Sequence, residues 1–567
     1  MAYAPSPADS APAPTGLAPA EPAPPPAPTH GASPQTTPAD PAPEDHAAPG
    51  DHPALPVARR ITADLVAAAA VVAVTPLCLL QAPNAIAWAL TPVGGITGGP
   101  GTSIAVLRAA GLALPAMAGV AGIAGLAVIR WRAWPVLLTG LLIMAVADVF
   151  GGSARTVAMI GVVRVLHGLA AGLALPAALG LAWERRPRPR RLLAALWAAA
   201  TVAGLAGVSA VARERLASGG WHGALAPYPW LTGVALTVAA LYAILADGPG
   251  APRQKRPPRQ DPQPSSTSRT HPSHKAHSTH PPQPPRAPRA RQDATQERAQ
   301  LAVLTVPGLG LGALSVGVTY RSPLALLAAG AVAVLILYGV AAVASADRLV
   351  GGPLCFPMVA AVTGLVVAPA AGAVTSLRDL TSAAVSGPAQ SPPWLPLGVT
   401  VAAVVAGVVV ALMLRRRPRP VVLAGLVVAL EGLVAARLAG PFVPGLVLAG
   451  VSAPLAGGLA AALTAALTGT AAKATAASAL SGASLLLGGL LTGYLAAGAV
   501  QVRMVTQLAA GPGQGQGNSP GYTQAGERLA LAGAVGVWEL VGLVSVLIAI
   551  AVIILTGRAR RAGAVTR

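Results

Sequence analysis

The chain has 567 residues, of which 54% are hydrophobic and only 10% are charged, and its formal net charge is +20. A soluble domain of this length needs far more charged surface, so the composition excludes a soluble globular protein and predicts helices that face lipid. The basic residues lie between apolar segments and do not alternate with aromatic residues, which argues against nucleic acid as a partner.

The N-terminal part of the sequence predicts a tail followed by a first group of helices. Residues 1–57 are rich in Ala and Pro and bury too little apolar surface to fold, so we expect a disordered cytoplasmic tail. A spanning helix needs about 20 apolar residues. Residues 58–247 contain six such segments and predict an N-terminal six-helix bundle, with helices at 62–82, 107–129, 134–151, 157–182, 192–211 and 227–246.

A polar stretch, residues 248–300, interrupts the apolar segments. It is rich in Pro, Ser, Arg and His, a composition that predicts a disordered basic cytoplasmic linker. Four histidines recur every third residue, at His271, His274, His277 and His280. A metal-binding tract and low-complexity sequence both explain them, and we favour the second. The basic residues also suit contact with anionic lipid headgroups.

Eight further apolar segments follow the linker. Residues 301–345 predict two extra transmembrane helices, at 301–319 and 323–345. Residues 346–557 predict a C-terminal six-helix bundle, with helices at 354–377, 396–414, 421–438, 442–464, 477–500 and 530–556, before a short basic tail at 558–567. The fold class expected is therefore an all-α polytopic membrane protein with about 14 transmembrane helices.

The positions of Lys and Arg give an independent check on this topology. With the N-terminus in the cytoplasm, the short inside connections hold more than twice as many Lys and Arg residues as the outside connections. The densest clusters, at 185–191 and 415–419, both fall inside. This asymmetry is the positive-inside signal, so we expect a multi-pass plasma-membrane protein with both termini in the cytoplasm.

The fourth apolar segment carries a family motif. Arg164, His167 and Gly168 resemble the Arg-x-x-Gln-Gly-x-Gly-Ala pattern in helix four of major facilitator superfamily transporters, with His167 in place of the glutamine. The helix count and the six-plus-eight division resemble the fourteen-helix drug:proton antiporter branch of that family. The resemblance implies two six-helix bundles plus two extra helices, and proton-coupled export of a small molecule by rocker-type alternating access.

The connection between the second and third segments resembles the family's Gly-x-x-x-Asp-Arg-x-Gly-Arg-Arg loop. Gly125 and Arg130 fit the motif, whereas Ile129 replaces its acid and Arg132 replaces its second glycine. The resemblance implies that Gly125, Arg130 and Arg132 form a conformational-coupling loop. The two replacements mark this chain as a divergent member.

Ionisable residues within the apolar segments are candidates for substrate binding or proton coupling, because a charged side chain at the centre of a membrane helix costs on the order of 2.5–3.5 kcal/mol. Glu431 falls near the midplane of its segment, where a carboxyl group can carry a proton or meet a cationic substrate. A structural carboxyl group is the alternative. Glu539 follows Trp538 near the outer end of the last segment, where hydration is expected.

Three more candidates belong to the third and fourth segments. The family resemblance implies that Arg164 couples protonation to movement of the bundles, although an arginine that packs against carbonyl groups is equally consistent with the sequence. Asp148 is its expected partner by depth in the membrane, and an interfacial cap is the alternative. His167 lies three residues after Arg164 and shares its helix face, either as a titrating group or as a core histidine.

We find no nucleophile–His–acid arrangement and no metal-ligand spacing, so we predict no enzyme activity, catalytic residue, metal or cofactor. Cys78 and Cys355 are read as small apolar residues. The expected partners are the lipid bilayer, a small-molecule substrate and protons. Two other classes remain open, namely a non-transporting major-facilitator-like scaffold or partner of an envelope complex, and a polytopic membrane enzyme or flippase.

Overall fold

The computed structural model describes residues 57–81, 109–225, 228–247, 310, 323–346, 354–367, 394–439, 445–473, 475–509 and 520–565. Every regular element within these ranges is helical. The predicted N-terminal tail up to residue 56, the linker at 248–300 and, apart from Gly310, the predicted helix at 301–319 lie outside the described residues.

Thirteen helices run through these ranges. In chain order they are α1 (Val57–Gln81), α2 (Ala113–Trp131), α3 (Ala133–Gly151), α4 (Val157–Trp183), α5 (Pro187–Leu225), α6 (Pro229–Asp247), α7 (Pro323–Ala346), α8 (Phe356–Val367), α9 (Trp394–Met413), α10 (Pro418–Ala439), α11 (Gly445–Lys473), α12 (Ala476–Ala509) and α13 (Pro520–Val565).

The helices have the length and composition of membrane spans. Eleven are long and apolar enough to cross a bilayer, and the apolar stretches of α8 and α9, Phe356–Val367 and Leu397–Met413, are shorter. Each of the thirteen coincides with a predicted apolar segment. The expectation of an all-α polytopic membrane protein is therefore confirmed, while the count of about 14 stays a prediction.

The helices pack as two six-helix bundles. In the N-terminal bundle, α1 packs against α4, α5 and α6, whereas α2 and α3 flank α4. In the C-terminal bundle, α9 and α10 flank α11, and α13 packs against α10 and α12. Helix α8 joins this bundle because Gly364 lies against Leu486 of α12, and Leu354, just before α8, lies against Gly469 of α11. Helix α7 packs outside the bundles, on α12.

The two bundles repeat the same pairing of helices. Helices α8–α13 correspond in order to α1–α6. In the N-terminal bundle, α2 and α3 pack on α4, and α3 packs on α6. The equivalent helices make the same contacts in the C-terminal bundle, where α9 and α10 pack on α11, and α10 packs on α13. The contacts between the bundles follow the same rule, because α5 packs against α9 and α11 while α12 packs against α2 and α4. The described helices therefore have a pseudo-two-fold arrangement, in which α2, α4 and α5 correspond to α9, α11 and α12.

Small residues allow the equivalent helices to approach closely. A Cβ atom added at Gly168 of α4 would overlap the carbonyl oxygen of Ala113 in α2. One added at Gly407 of α9 would overlap the carbonyl oxygen of Gly457 in α11. Membrane helices associate through such close backbone contact, because lipid is as apolar as their side chains. The glycine of the family motif thus has a packing role.

We expect Gly168→Ala to lower the free energy of unfolding by about 1–3 kcal/mol, because the added methyl group must displace the backbone of α2. Thermal unfolding of the purified protein in detergent measures this loss. Gly233→Ala in α6 is the matched control, since its added Cβ meets no described atom within 4 Å. Equal losses in the two variants would contradict the close contact of α2 and α4.

Candidate functional site

Buried polar side chains gather in the N-terminal bundle near the end of α1. They are Gln81 of α1, Asp148 of α3, Arg164 and His167 of α4, and Thr232 of α6, and we call them the Asp148 cluster. None is more than 6% exposed. The structure thus brings together three candidates from the sequence and adds two residues that sequence reasoning missed, Gln81 and Thr232.

The carboxylate of Asp148 accepts hydrogen bonds from three helices. The Nε2 atom of His167 lies 3.0 Å from Oδ1. The hydroxyl group of Thr232 donates to Oδ2 at 2.5 Å, and the Nε2 atom of Gln81 lies 3.4 Å from the same oxygen. A buried carboxylate is tolerated only where such partners replace water. Both oxygen atoms of the Asp148 side chain are therefore satisfied within the bundle.

Arg164 ties the cluster to two helix ends. Its Nε atom donates to the carbonyl oxygen of Ala110 at 3.2 Å, and its Nη1 atom donates to the carbonyl oxygen of Gln81 at 2.9 Å. Ala110 is the second residue of the second membrane span, and Gln81 ends α1. The sequence paired Arg164 with Asp148 by depth, and the structure places both in one cluster, with His167 hydrogen-bonded to the carboxylate.

The polar atoms of the cluster are not all satisfied. The Oε1 atom of Gln81 is buried and has no hydrogen-bond partner among the described residues. The imidazole of His167 lies between the carboxyl group of Asp148, which its Nε2 atom contacts, and the backbone of Val163 one turn earlier in α4. Because the imidazole and the carboxyl group both bind protons and are in direct contact, a proton can pass between them.

A second polar group, the Glu184 cluster, lies at the opposite end of the same bundle. Glu184 follows α4 and accepts hydrogen bonds from the backbone N–H of Ala133 at 2.6 Å and from the hydroxyl group of Tyr242 at 2.9 Å. The guanidinium group of Arg185 lies 4.8 Å from the centroid of the Tyr242 ring and 3.6 Å from Asp64. These contacts join α1, α3, α4 and α6. The sequence feature that could have identified this cluster is the Glu184–Arg185 pair, which follows α4.

The predicted coupling loop contains one strained residue. Gly125 is buried in α2, and Arg130 and Arg132 are exposed at the end of that helix. Arg132 separates α2 from α3 with φ 88° and ψ 167°, a region that glycine occupies almost alone. Arg132 therefore holds a backbone conformation that glycine would adopt without strain.

The two candidates in the C-terminal bundle lie apart from the Asp148 cluster. Glu431 lies on the exposed face of α10, a helix that packs against α11 and α13 of its own bundle. Glu539 of α13 is half-buried, and Arg437 of α10 packs against Gly536, one turn before it. The carboxyl groups of Glu431 and Glu539 therefore do not share the environment of Asp148.

The cysteines lie outside both clusters. Cys78 and Cys355 are free and buried. Within the described ranges, no three His, Cys, Asp or Glu side chains are grouped so that they could hold a metal ion. The predicted histidine tract at 271–280 lies outside those ranges.

Known proteins were compared with this chain by sequence and by fold. No protein-family model matches the sequence, and no curated protein matches it significantly. Similar solved structures include the major facilitator superfamily proton:xylose symporter XylE bound to 6-bromo-6-deoxy-D-glucose, at 14% identity over 87% of this chain and 95% of that chain, with a TM-score of 0.47.

Two further structures are similar to the same extent. The xylose transporter XylE from E. coli, in a partially occluded inward-open conformation, is 12% identical over 86% of this chain and 97% of that chain, with a TM-score of 0.48. The peptide transporter POT in complex with sulfate is 16% identical over 87% and 94%, with a TM-score of 0.49. Likeness at this level carries no argument about function, which rests on the residues described above.

We expect Arg132→Gly to raise the free energy of unfolding by about 1–3 kcal/mol, because glycine adopts this backbone conformation without strain. Arg130→Gly is the matched control. It removes the same charge from the last turn of α2, where glycine is expected to lower the stability by roughly 0.5–1 kcal/mol. Thermal unfolding in detergent distinguishes them, and a loss of stability in Arg132→Gly would contradict the strain.

Proposed function

We propose that this protein is a secondary active transporter that exports a small molecule in exchange for protons, by rocker-type alternating access of its two bundles. The observation that carries the proposal is the Asp148 cluster. It places an acid and an imidazole 3.0 Å apart in the interior of one bundle, with both side chains shielded from solvent. Buried ionisable groups of this kind in membrane helices mark proton and substrate pathways.

Protonation changes the charge balance of the cluster. While His167 is neutral, the negative charge of Asp148 offsets the positive charge of Arg164. One added proton, on either the imidazole or the carboxylate, leaves the cluster with an uncompensated positive charge. Because an unbalanced charge is unfavourable in a low-dielectric interior, protonation favours a conformation in which the cluster meets water or an anionic group.

The helices of the cluster carry this change to the other bundle. Arg164 and His167 lie on α4, which packs against α12. Arg164 also donates a hydrogen bond to the carbonyl of Ala110, which lies three residues before α2. Helix α2 packs against α12 as well. Rearrangement of the Arg164 side chain therefore acts on two of the contacts across which the bundles must rock.

The predicted topology gives the exchange its direction. With both termini in the cytoplasm, the Asp148 cluster lies toward the outer end of its bundle and the Glu184 cluster toward the cytoplasmic end. Protons then reach Asp148 from outside. The Glu184 cluster holds α1, α3, α4 and α6 together, so that the N-terminal bundle moves as a rigid body.

Asp148→Asn tests the proposal directly. The variant keeps the shape of the side chain and removes its titration, so we expect proton-coupled flux to fall by about 100-fold, the lower end of what a positioned proton-transfer group contributes. The measurement uses proteoliposomes with an imposed pH gradient, lumenal pyranine and a panel of labelled sugars, dipeptides and cationic dyes. Exchange of the transported compound without a gradient should persist.

Glu431→Gln is the matched control, because it removes an intramembrane carboxyl group that lies outside the Asp148 cluster. We expect this variant to retain coupling. Thermal unfolding in detergent verifies that both variants are folded. Full proton coupling in a folded Asp148→Asn protein would exclude the Asp148 cluster from the mechanism. Loss of coupling only in Glu431→Gln would indicate that Glu431 of α10 is the proton-coupling carboxyl group.

The second candidate function is a membrane scaffold that has lost transport. The departures of the coupling loop favour it, since Ile129 lacks the motif's acid and Arg132 holds a strained glycine position. A scaffold would show no flux with any compound of the panel, in either gradient direction, and would be recovered from membranes in a stoichiometric complex with another protein.

A further inference from the structure

Helix α10 presents a regular apolar stripe on its exposed face. The stripe recurs at alternating intervals of three and four residues, through Ala424, Val427, Glu431, Val434 and Leu438. Val427, Val434 and Leu438 are 42%, 41% and 82% exposed. The opposite face of the helix supplies its buried residues, Val421, Val422, Gly425, Leu426, Ala429, Gly432 and Leu433. Glu431 therefore lies at the centre of a surface that the described fold leaves open.

The carboxyl group of Glu431 has no hydrogen bond or ion pair to any residue that the structure describes. Its neighbours along the stripe are apolar. The nearest basic residue along the helix, Arg437, packs against Gly536 of α13 instead. An unpartnered polar group at this depth favours association with another helix that can satisfy it.

The spacing of the stripe fits a left-handed pair of helices. Residues at alternating intervals of three and four form the seam along which two helices pack in a left-handed pair. A single polar residue within such a seam fixes the register of the two helices. Small residues, here Ala424 and the exposed Ala435, further allow the helix backbones to approach.

The chemistry of the carboxyl group indicates which partner can bind the exposed face of α10. A protonated carboxyl group is both a hydrogen-bond donor and an acceptor, so it is complementary to a second copy of itself. A two-fold axis along the membrane normal brings the same residue of two copies to the same depth and makes an isologous interface. Two copies of α10 can therefore satisfy Glu431 without a basic residue from another protein.

We propose that the exposed face of α10 is the interface of a homodimer, in which Glu431 of one protomer hydrogen-bonds to the partner's Glu431. Such a hydrogen bond requires a proton between the two carboxyl groups. This interface is independent of the proposed transport activity, because it uses none of the residues of the Asp148 cluster. The dimer axis passes beside α10 and leaves the contacts between the two bundles of each protomer unchanged.

Subunit counting in lipid nanodiscs, by single-molecule photobleaching over a dilution series, tests this interface with the full chain. Glu431→Gln keeps a group that both donates and accepts, so it should dimerise as the natural chain does. Glu431→Leu removes the hydrogen bond and should weaken the dimer by roughly 5- to 30-fold, the effect of one interhelical hydrogen bond. Thermal unfolding in detergent verifies that each protein is folded.

Cysteine cross-linking locates the contact. Val427→Cys and Val434→Cys flank Glu431 by about one turn and should form disulfide-linked dimers on oxidation. Val409→Cys, on the exposed face of α9 at 42% exposure, should not. Cys78 and Cys355 are buried and do not interfere. A monomeric natural chain, equal dimerisation of Glu431→Leu, or equal cross-linking at position 409 would overturn the proposal.

Discussion

A carboxylate inside an apolar bundle must find its hydrogen bonds within the protein, and at Asp148 this requirement shapes the packing around it. Water is absent from the hydrocarbon region, and each unmet polar group there is costly. Thr232, Gln81 and His167 meet the requirement from three different helices. The ends of α1, α3 and α6 are thereby held together against α4, and Arg164 adds the start of the second span.

The two polar clusters divide the N-terminal bundle into ends with different chemistry. The Glu184 cluster consists of a carboxylate, a backbone N–H, a phenol and a guanidinium group, all of which have partners suited to fixing helices in place. The Asp148 cluster keeps an unpaired carbonyl oxygen on Gln81 among the described residues. The two ends of the bundle therefore differ, because one has its polar groups paired between helices and the other retains hydrogen-bonding capacity.

The sequence predicted every described helix, because a membrane span is recognised by length and hydropathy alone. It also predicted Arg164, His167 and Asp148 as buried charges, and their joint burial bears out the rule that such residues turn inward. It could not predict which way Glu431 faces. The lipid-facing and inward sides of a membrane helix are equally apolar, so the hydropathy pattern does not show which side faces the bundle. Thr232, Gln81 and Tyr242 were missed for a related reason, because a single neutral polar residue in a span gives no signal until its partner on another helix is known.

Asp148 and Glu431 show how the same functional group is accommodated on the two sides of a membrane helix. Asp148 faces the interior, where Thr232, Gln81 and His167 on neighbouring helices contact its two oxygen atoms. Glu431 faces outward, where lipid offers neither a donor nor a charge, so a hydrogen bond to its carboxyl group has to come from outside the helices of its own bundle. The direction in which a carboxyl group points, rather than its depth in the bilayer, therefore decides which partners can satisfy it.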